Sequence, residues 1–149
     1  MAVIRSRSWV SAPIEAVFAF FDDPSNLSRL MPPPVSIRVD RVEPTPPQEG
    51  STFEFRYGIG PVQRRWVVRL LERFPPERMV DETISGPMQR FHHAHSFTRA
   101  GRGTWIDDVV DYHVGPDGPV GAVVDLLAGW AMRATFVWRA AKQRLLLRD

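Results

Sequence analysis

Apolar and polar positions change period twice along this chain. From Ala2 to Val10 they alternate as in a strand, and Ser11-Ala12-Pro13 then supplies a cap and a proline suited to a first helical turn. Ile14, Val17, Phe18 and Phe21 recur at helical spacing. The segment Asp22-Asp23-Pro24-Ser25-Asn26 ends that helix and caps a second short one through Leu27 and Leu30, which Met31-Pro32-Pro33-Pro34 closes. From Val35 to His113 the runs are short and alternating, separated by proline and glycine clusters, which predicts six consecutive antiparallel strands. Beyond Gly115-Pro116-Asp117-Gly118-Pro119 the period turns helical again. Val120, Val123, Leu127, Trp130, Ala134, Val137, Ala141 and Leu145 are spaced by three and four, the stripe of one long amphipathic helix.

A stripe of that length has to be buried, and a meander of strands offers one concave apolar face. The economical arrangement is an α+β helix-grip: a curved seven-stranded antiparallel sheet wrapped around the long C-terminal helix, with two short helices after the first strand. No repeat, low-complexity linker or second core interrupts residues 1–149, so one domain is expected. Between sheet and helix such a grip leaves space. Trp66, Val68 and Leu70 alternate with Arg65 and Arg69, so the apolar set faces that space with Phe53, Phe55 and Tyr57 while the arginines form a solvated outer face. Trp130 and Ala134 would face it from the helix.

Composition narrows the function classes. The formal net charge is +2, Lys142 is the sole lysine, and the arginines are scattered singly, which is no footprint for nucleic acid. Cysteine is absent, which excludes disulfides, thiolate nucleophiles and sulfur-ligated zinc. The start of the chain lacks the apolar run of a signal peptide, and no apolar run reaches bilayer length, so no stable membrane insertion and a cytoplasmic location are expected. Neither a phosphate-cradling glycine loop nor a Gly-x-Ser-x-Gly elbow occurs.

The chemistry concentrates in Phe91-His92-His93-Ala94-His95-Ser96-Phe97. Alternation puts Phe91, His93, His95 and Phe97 on one face, so two imidazoles lie among aromatics. A tight turn at Gly101-Arg102 sets Phe97 opposite Ile106, His95 opposite Asp108, His93 opposite Val110 and Phe91 opposite Tyr112. A turn of even length at Gly86-Pro87 brings Glu82 onto the histidine face; an odd length brings Asp81 instead. His92 and His113 face the other way. Two roles stay open for the cluster of His93, His95, Glu82 and Asp108: a satisfied structural network, or polar contacts to a ligand, with a histidine as general base in the catalytic version. The two histidines and a carboxylate also match a set that suits iron or zinc, but the carboxylates can equally serve to orient the rings, and no metal or other cofactor is expected.

Ala12-Pro13-Ile14-Glu15-Ala16-Val17-Phe18, Asp23-Pro24-Ser25-Asn26-Leu27 and Pro32-Pro33 resemble the opening of the START-like, helix-grip (SRPBCC) superfamily. Val80-Asp81-Glu82, Gly86-Pro87, His93-Ala94-His95-Ser96-Phe97 and Asp108-Val109-Val110-Asp111-Tyr112 are similar to one bacterial branch of it. The resemblance spans nearly the whole chain. It implies a hydrophobic small-molecule ligand, such as a lipid, quinone or aromatic polyketide, held between sheet and C-terminal helix. It implies no metal dependence. A polyketide cyclase or dehydratase, with His93 or His95 as base and Tyr112 or an inward arginine at the oxyanion, is the alternative, weakened by the lack of an evident inward arginine. A protein-interaction module with a filled cavity is a third reading, and a homodimer stays open.

Overall fold

The computed structural model describes residues 2–148. Strand β1 (Ala2–Val10) leads into helix α1 (Ile14–Asp22) and a 3₁₀ helix (Pro24–Leu30). Strands β2 (Val35–Glu43), β3 (Thr52–Ile59), β4 (Val62–Phe74), β5 (Arg78–Ser85), β6 (Arg90–Ala100) and β7 (Gly103–His113) follow, and helix α2 (Pro119–Leu146) closes the order. All seven strands form one antiparallel sheet in the order β1-β7-β6-β5-β4-β3-β2. The helix-grip architecture expected from the periodicity is the one observed.

The two short helices carry the chain from one edge strand, β1, to the other, β2. Pro13 is itself the N-cap of α1 and no side chain caps it, so Ser11 does not play the part its type suggested. Asp23 does cap the 3₁₀ helix, its carboxylate accepting from the Ser25 amide at 3.0 Å. Arg73 donates twice to Asp22, at 2.9 and 2.8 Å, and so pins the end of α1 to β4. Ile14, Val17 and Phe18 bury the inner face of α1 in the main core, together with Phe53, Phe55, Val68, Leu70, Phe97 and Ile106.

Helix α2 is turned opposite to the expectation. Val120, Val123, Leu127, Trp130, Val137 and Leu145, the predicted buried stripe, are exposed, Trp130 at 69%. The face laid on the sheet carries Gly121, Asp125, Gly129, Phe136, Arg139 and Gln143. Polar anchors account for the rotation. Asp125 accepts from the amides of Val114 and Gly115, at 2.7 and 3.0 Å, and the buried Ser8 hydroxyl donates to Gln143 Oε1 at 3.0 Å. Each end of the helix is thereby fixed with a polar residue inward, because a buried donor or acceptor left without a partner would cost on the order of 1–3 kcal/mol. Between the anchors Gly129 lets the backbone meet the Tyr112 side chain, where a Cβ would collide with the hydroxyl. By length and composition α2 is also apolar enough to cross a bilayer, contrary to the reading that no segment is. In this fold it is the helix the sheet grips.

Candidate functional site

A cavity of about 390 Å³ lies between the concave face of the sheet, the 3₁₀ helix and α2. Its volume falls within the range typical of small-molecule sites. Phe55, Tyr57, Trp66 and Val68 line it from β3 and β4, and Phe91, His93 and His95 from β6. Seven other candidates lie off its wall, Asp108 among them. Phe97 packs against Phe18 and Phe21 in the core, and Val110 and Tyr112 are buried in a second cluster with Ile4 and Phe136. Trp130 and Ala134 face solvent because α2 is rotated. Glu82 pairs with His92 on the outer face of the sheet.

Asp81 replaces Glu82 inside. The last β5–β6 pair is Glu82 with His92, so nine residues intervene, an odd number, and Asp81 falls opposite His93. The β6–β7 register is the expected one, with His95 opposite Asp108 and His93 opposite Val110. Asp108, 4% exposed, therefore sits behind both rings rather than on the cavity wall. Its Oδ1 lies 2.8 Å from His93 Nε2 and 2.9 Å from His95 Nδ1, the second contact being too bent for a hydrogen bond. On its other side His95 Nε2 is 3.3 Å from Asp81 Oδ2. The imidazoles overlap with centroids 3.8 Å apart, and the Phe91 and Phe136 rings stand edge-on to His93.

These contacts set the protonation states. Burial alone would lower His95, but Asp108 and Asp81 outweigh it and raise it to about 9, so it is cationic at neutral pH. Burial and the charge of His95 lower His93, against the pull of Asp108 and Asp81, and keep it neutral. Because a carboxylate only accepts, Nε2 carries the His93 proton and Nδ1 is left as the basic nitrogen. Burial opposes the ionisation of Asp108, yet His93 and His95 hold it far below the usual carboxylate range; Asp81 is lowered by His95 in the same way.

Arg139 completes the pole and is the residue sequence reasoning missed. It projects from α2 into the cavity, only 7% exposed, with its guanidinium 5.1 Å from the Phe136 ring centroid. Its Nε meets no hydrogen-bond partner among the described residues. Burial lowers its pKa while the charges of Asp108 and Asp81 pull the other way. Only the rotation of α2 turns this side chain inward, and no local sequence signal marks it. Asp81 and Asp108 with His95 and Arg139 give two negative and two positive charges, a neutral cluster at one end of an apolar chamber.

Asp81, His93 and His95 also bring one ligating atom each within 4.8 Å of one another. The chemistry of the set is that of a two-histidine, one-carboxylate site, but Asp81 is already the partner of a protonated imidazole, and Arg139 adds positive charge at the same pole. His113, expected to face away from the histidine pair, is half-buried, its Nδ1 2.6 Å from Asp125 Oδ2 and its Nε2 3.3 Å from Asp117 Oδ1. The Tyr112 hydroxyl donates to the Asp125 carbonyl at 3.0 Å and is therefore engaged away from the cavity.

No curated protein matches the sequence. Solved structures share its fold at low identity. A protein of Chromobacterium violaceum is 20% identical with a TM-score of 0.70, covering 95% of this chain and 96% of its own. One from Thermus thermophilus is 17% identical with a TM-score of 0.72 and 97% of each chain covered. A START superfamily protein of Mycobacterium smegmatis is 15% identical with a TM-score of 0.66 and 95% of each covered. A family model described as Polyketide cyclase / dehydrase and lipid transport matches residues 10–141, and with the sheet, gripped helix and cavity already in place the chain belongs to that family.

Proposed function

We propose that this protein binds an apolar small molecule bearing one oxygen acceptor, holding its hydrocarbon body against Phe55, Trp66 and Val68 and its oxygen at Arg139. Membership of the family supports hydrophobic-ligand binding in general. The single observation that carries the finer reading is Arg139: a guanidinium buried at the end of an apolar cavity with Nε unpartnered. Such a group is costly to bury unless something supplies an acceptor. Because the four charged groups already balance, a neutral carbonyl or hydroxyl suits the pole better than a carboxylate, which would leave one uncompensated negative charge in a low dielectric. The cytoplasm is the location we infer, in keeping with the sheet-rich carrier fold.

The test compares matched ligands of one chain length, a long-chain methyl ketone, the alkane and the carboxylate, by calorimetry on the protein after organic extraction. The ketone is expected to bind about 10- to 100-fold tighter than the alkane, the worth of a hydrogen bond to a charged donor. Arg139→Met should bind both equally. Absence of binding by every ligand, or a ketone preference that survives Arg139→Met, sinks the reading.

The neutral His93 favours a second reading. A basic Nδ1 on a ring whose other nitrogen is fixed by Asp108, beside an inward arginine, is the pair needed to remove a proton α to a ligand carbonyl and stabilise the enolate, as in a cyclase or dehydratase. Solvent deuterium incorporation into the bound ketone, lost in His93→Gln while affinity is kept, would establish it; no exchange in the unsubstituted protein rules it out.

A further inference from the structure

The exposed face of α2 is ordered as a seam. Val123, Leu127, Trp130, Ala134, Val137 and Ala141 follow one another at intervals of four, three, four, three and four, the spacing of the core positions of a coiled coil. On the opposite side of the helix Asp125, Met132 and Arg139, seven residues apart, point into the protein's own fold. The seam therefore faces directly away from the sheet. Leu127 is 63% exposed and Val137 73%, and Leu126, Trp138 and Leu145 flank them in solvent. Together these side chains make a contiguous apolar face larger than the few hundred Å² usual for a monomer, on the scale of the roughly 800 Å² that each partner contributes to a standard interface.

We propose that a second copy of this chain covers this face through an antiparallel α2–α2 pair. The face is self-complementary in that orientation. With the two-fold axis between Trp130 and Ala134, the largest side chain of the seam packs on the smallest, Trp130 over the partner's Ala134, Leu127 meets the partner's Val137, and Val123 meets the partner's Ala141. Charge agrees. In a parallel pair Arg144 would stand level with its own copy, whereas in the antiparallel pair the fully exposed Asp117 before α2 comes beside the partner's Arg144 and Arg148. Antiparallel helix dipoles add to this. Three-four order is common to any amphipathic helix, one lying on a lipid surface included, whereas the Trp-Ala complement and the end charges need a partner in fixed register, and these single out another helix as the occupant.

Analytical ultracentrifugation of the full chain tests the association, and cysteine cross-linking tests its geometry on a protein with no cysteine of its own. The chain should sediment as a dimer at micromolar concentration. Leu127→Glu and Trp130→Glu, both at exposed positions, should weaken it at least a hundredfold with unchanged circular dichroism. On oxidation, an equal mixture of Leu127→Cys and Val137→Cys proteins should cross-link while neither does alone. A monomer at about 100 μM, or binding of neutral lipid vesicles by that monomer, overturns the proposal. Self-cross-linking of Leu127→Cys overturns the antiparallel arrangement. None of these readouts depends on what the cavity holds.

Discussion

His93 Nε2 donates to Asp108 Oδ1 at 2.8 Å across the β6–β7 pair, and both residues are 4% exposed. The carboxylate serves the second ring, His95, as well, and the pair holds the polar end of the cavity together. Replacing Asp108 by Ala should destabilise the fold by about 3–5 kcal/mol, the usual cost of stranding a buried charge. Urea denaturation measures this, and a loss under about 1 kcal/mol would show that the rings find other partners.

His95 makes stability depend on pH. Its folded pKa, about 9, lies above its ordinary value of 6.5, so its contribution is complete below about 6.5 and is lost as pH rises toward 9. His93 is shifted the other way, so its contribution is present above 6.5 and falls away in acid. The melting temperature should therefore decline between pH 6.5 and 9, and His95→Gln should remove most of that alkaline decline. Parallel curves for the two proteins would count against a protonated His95.

Tyr112 and Gly129 are coupled through one contact. An alanine Cβ at position 129 would run into the Tyr112 hydroxyl, so Gly129→Ala should cost about 1–3 kcal/mol by overpacking, rather than leave the fold intact as a mere helix bend would. In Tyr112→Phe the obstacle is gone, and the same substitution should be neutral or stabilising by up to about 1 kcal/mol, the propensity gain of alanine over glycine. Thermal denaturation of the double-mutant cycle checks the coupling, and additive effects refute it.

Asp81 and Glu82 are neighbours in sequence with opposite fates. Asp81→Asn should lower the His95 pKa and weaken ligand binding, while Glu82→Gln should change neither, because Glu82 lies outside the sheet. Histidine titration by NMR, with calorimetry on the ketone, separates them. Equal effects would mean that β5 pairs one residue out of register.

Local pattern in this chain was enough for the strands, the helices and the register of β6 on β7. Alternation assigns a face to every strand residue, and a two-residue turn at Gly101-Arg102 leaves one pairing only, which puts His95 opposite Asp108. The choice between Asp81 and Glu82 was not decidable that way. It depends on whether the stretch between β5 and β6 holds an odd or even number of unpaired residues, and where pairing stops is settled by the sheet as a whole.

The rotation of α2 belonged wholly to tertiary structure. By periodicity the stripe from Val120 to Leu145 is what a helix buries, and the sequence alone determined that the stripe, the helix and a concave sheet to receive it all exist. Which side of the helix turns inward was decided by contacts more than a hundred residues apart, such as Ser8 with Gln143, and by the amides that Asp125 captures at the end of β7. A buried polar group gains only from a specific partner, whereas apolar surface is content with any cover. So the directional bonds chose the face, drew Arg139 into the cavity and left the hydrophobic seam outside.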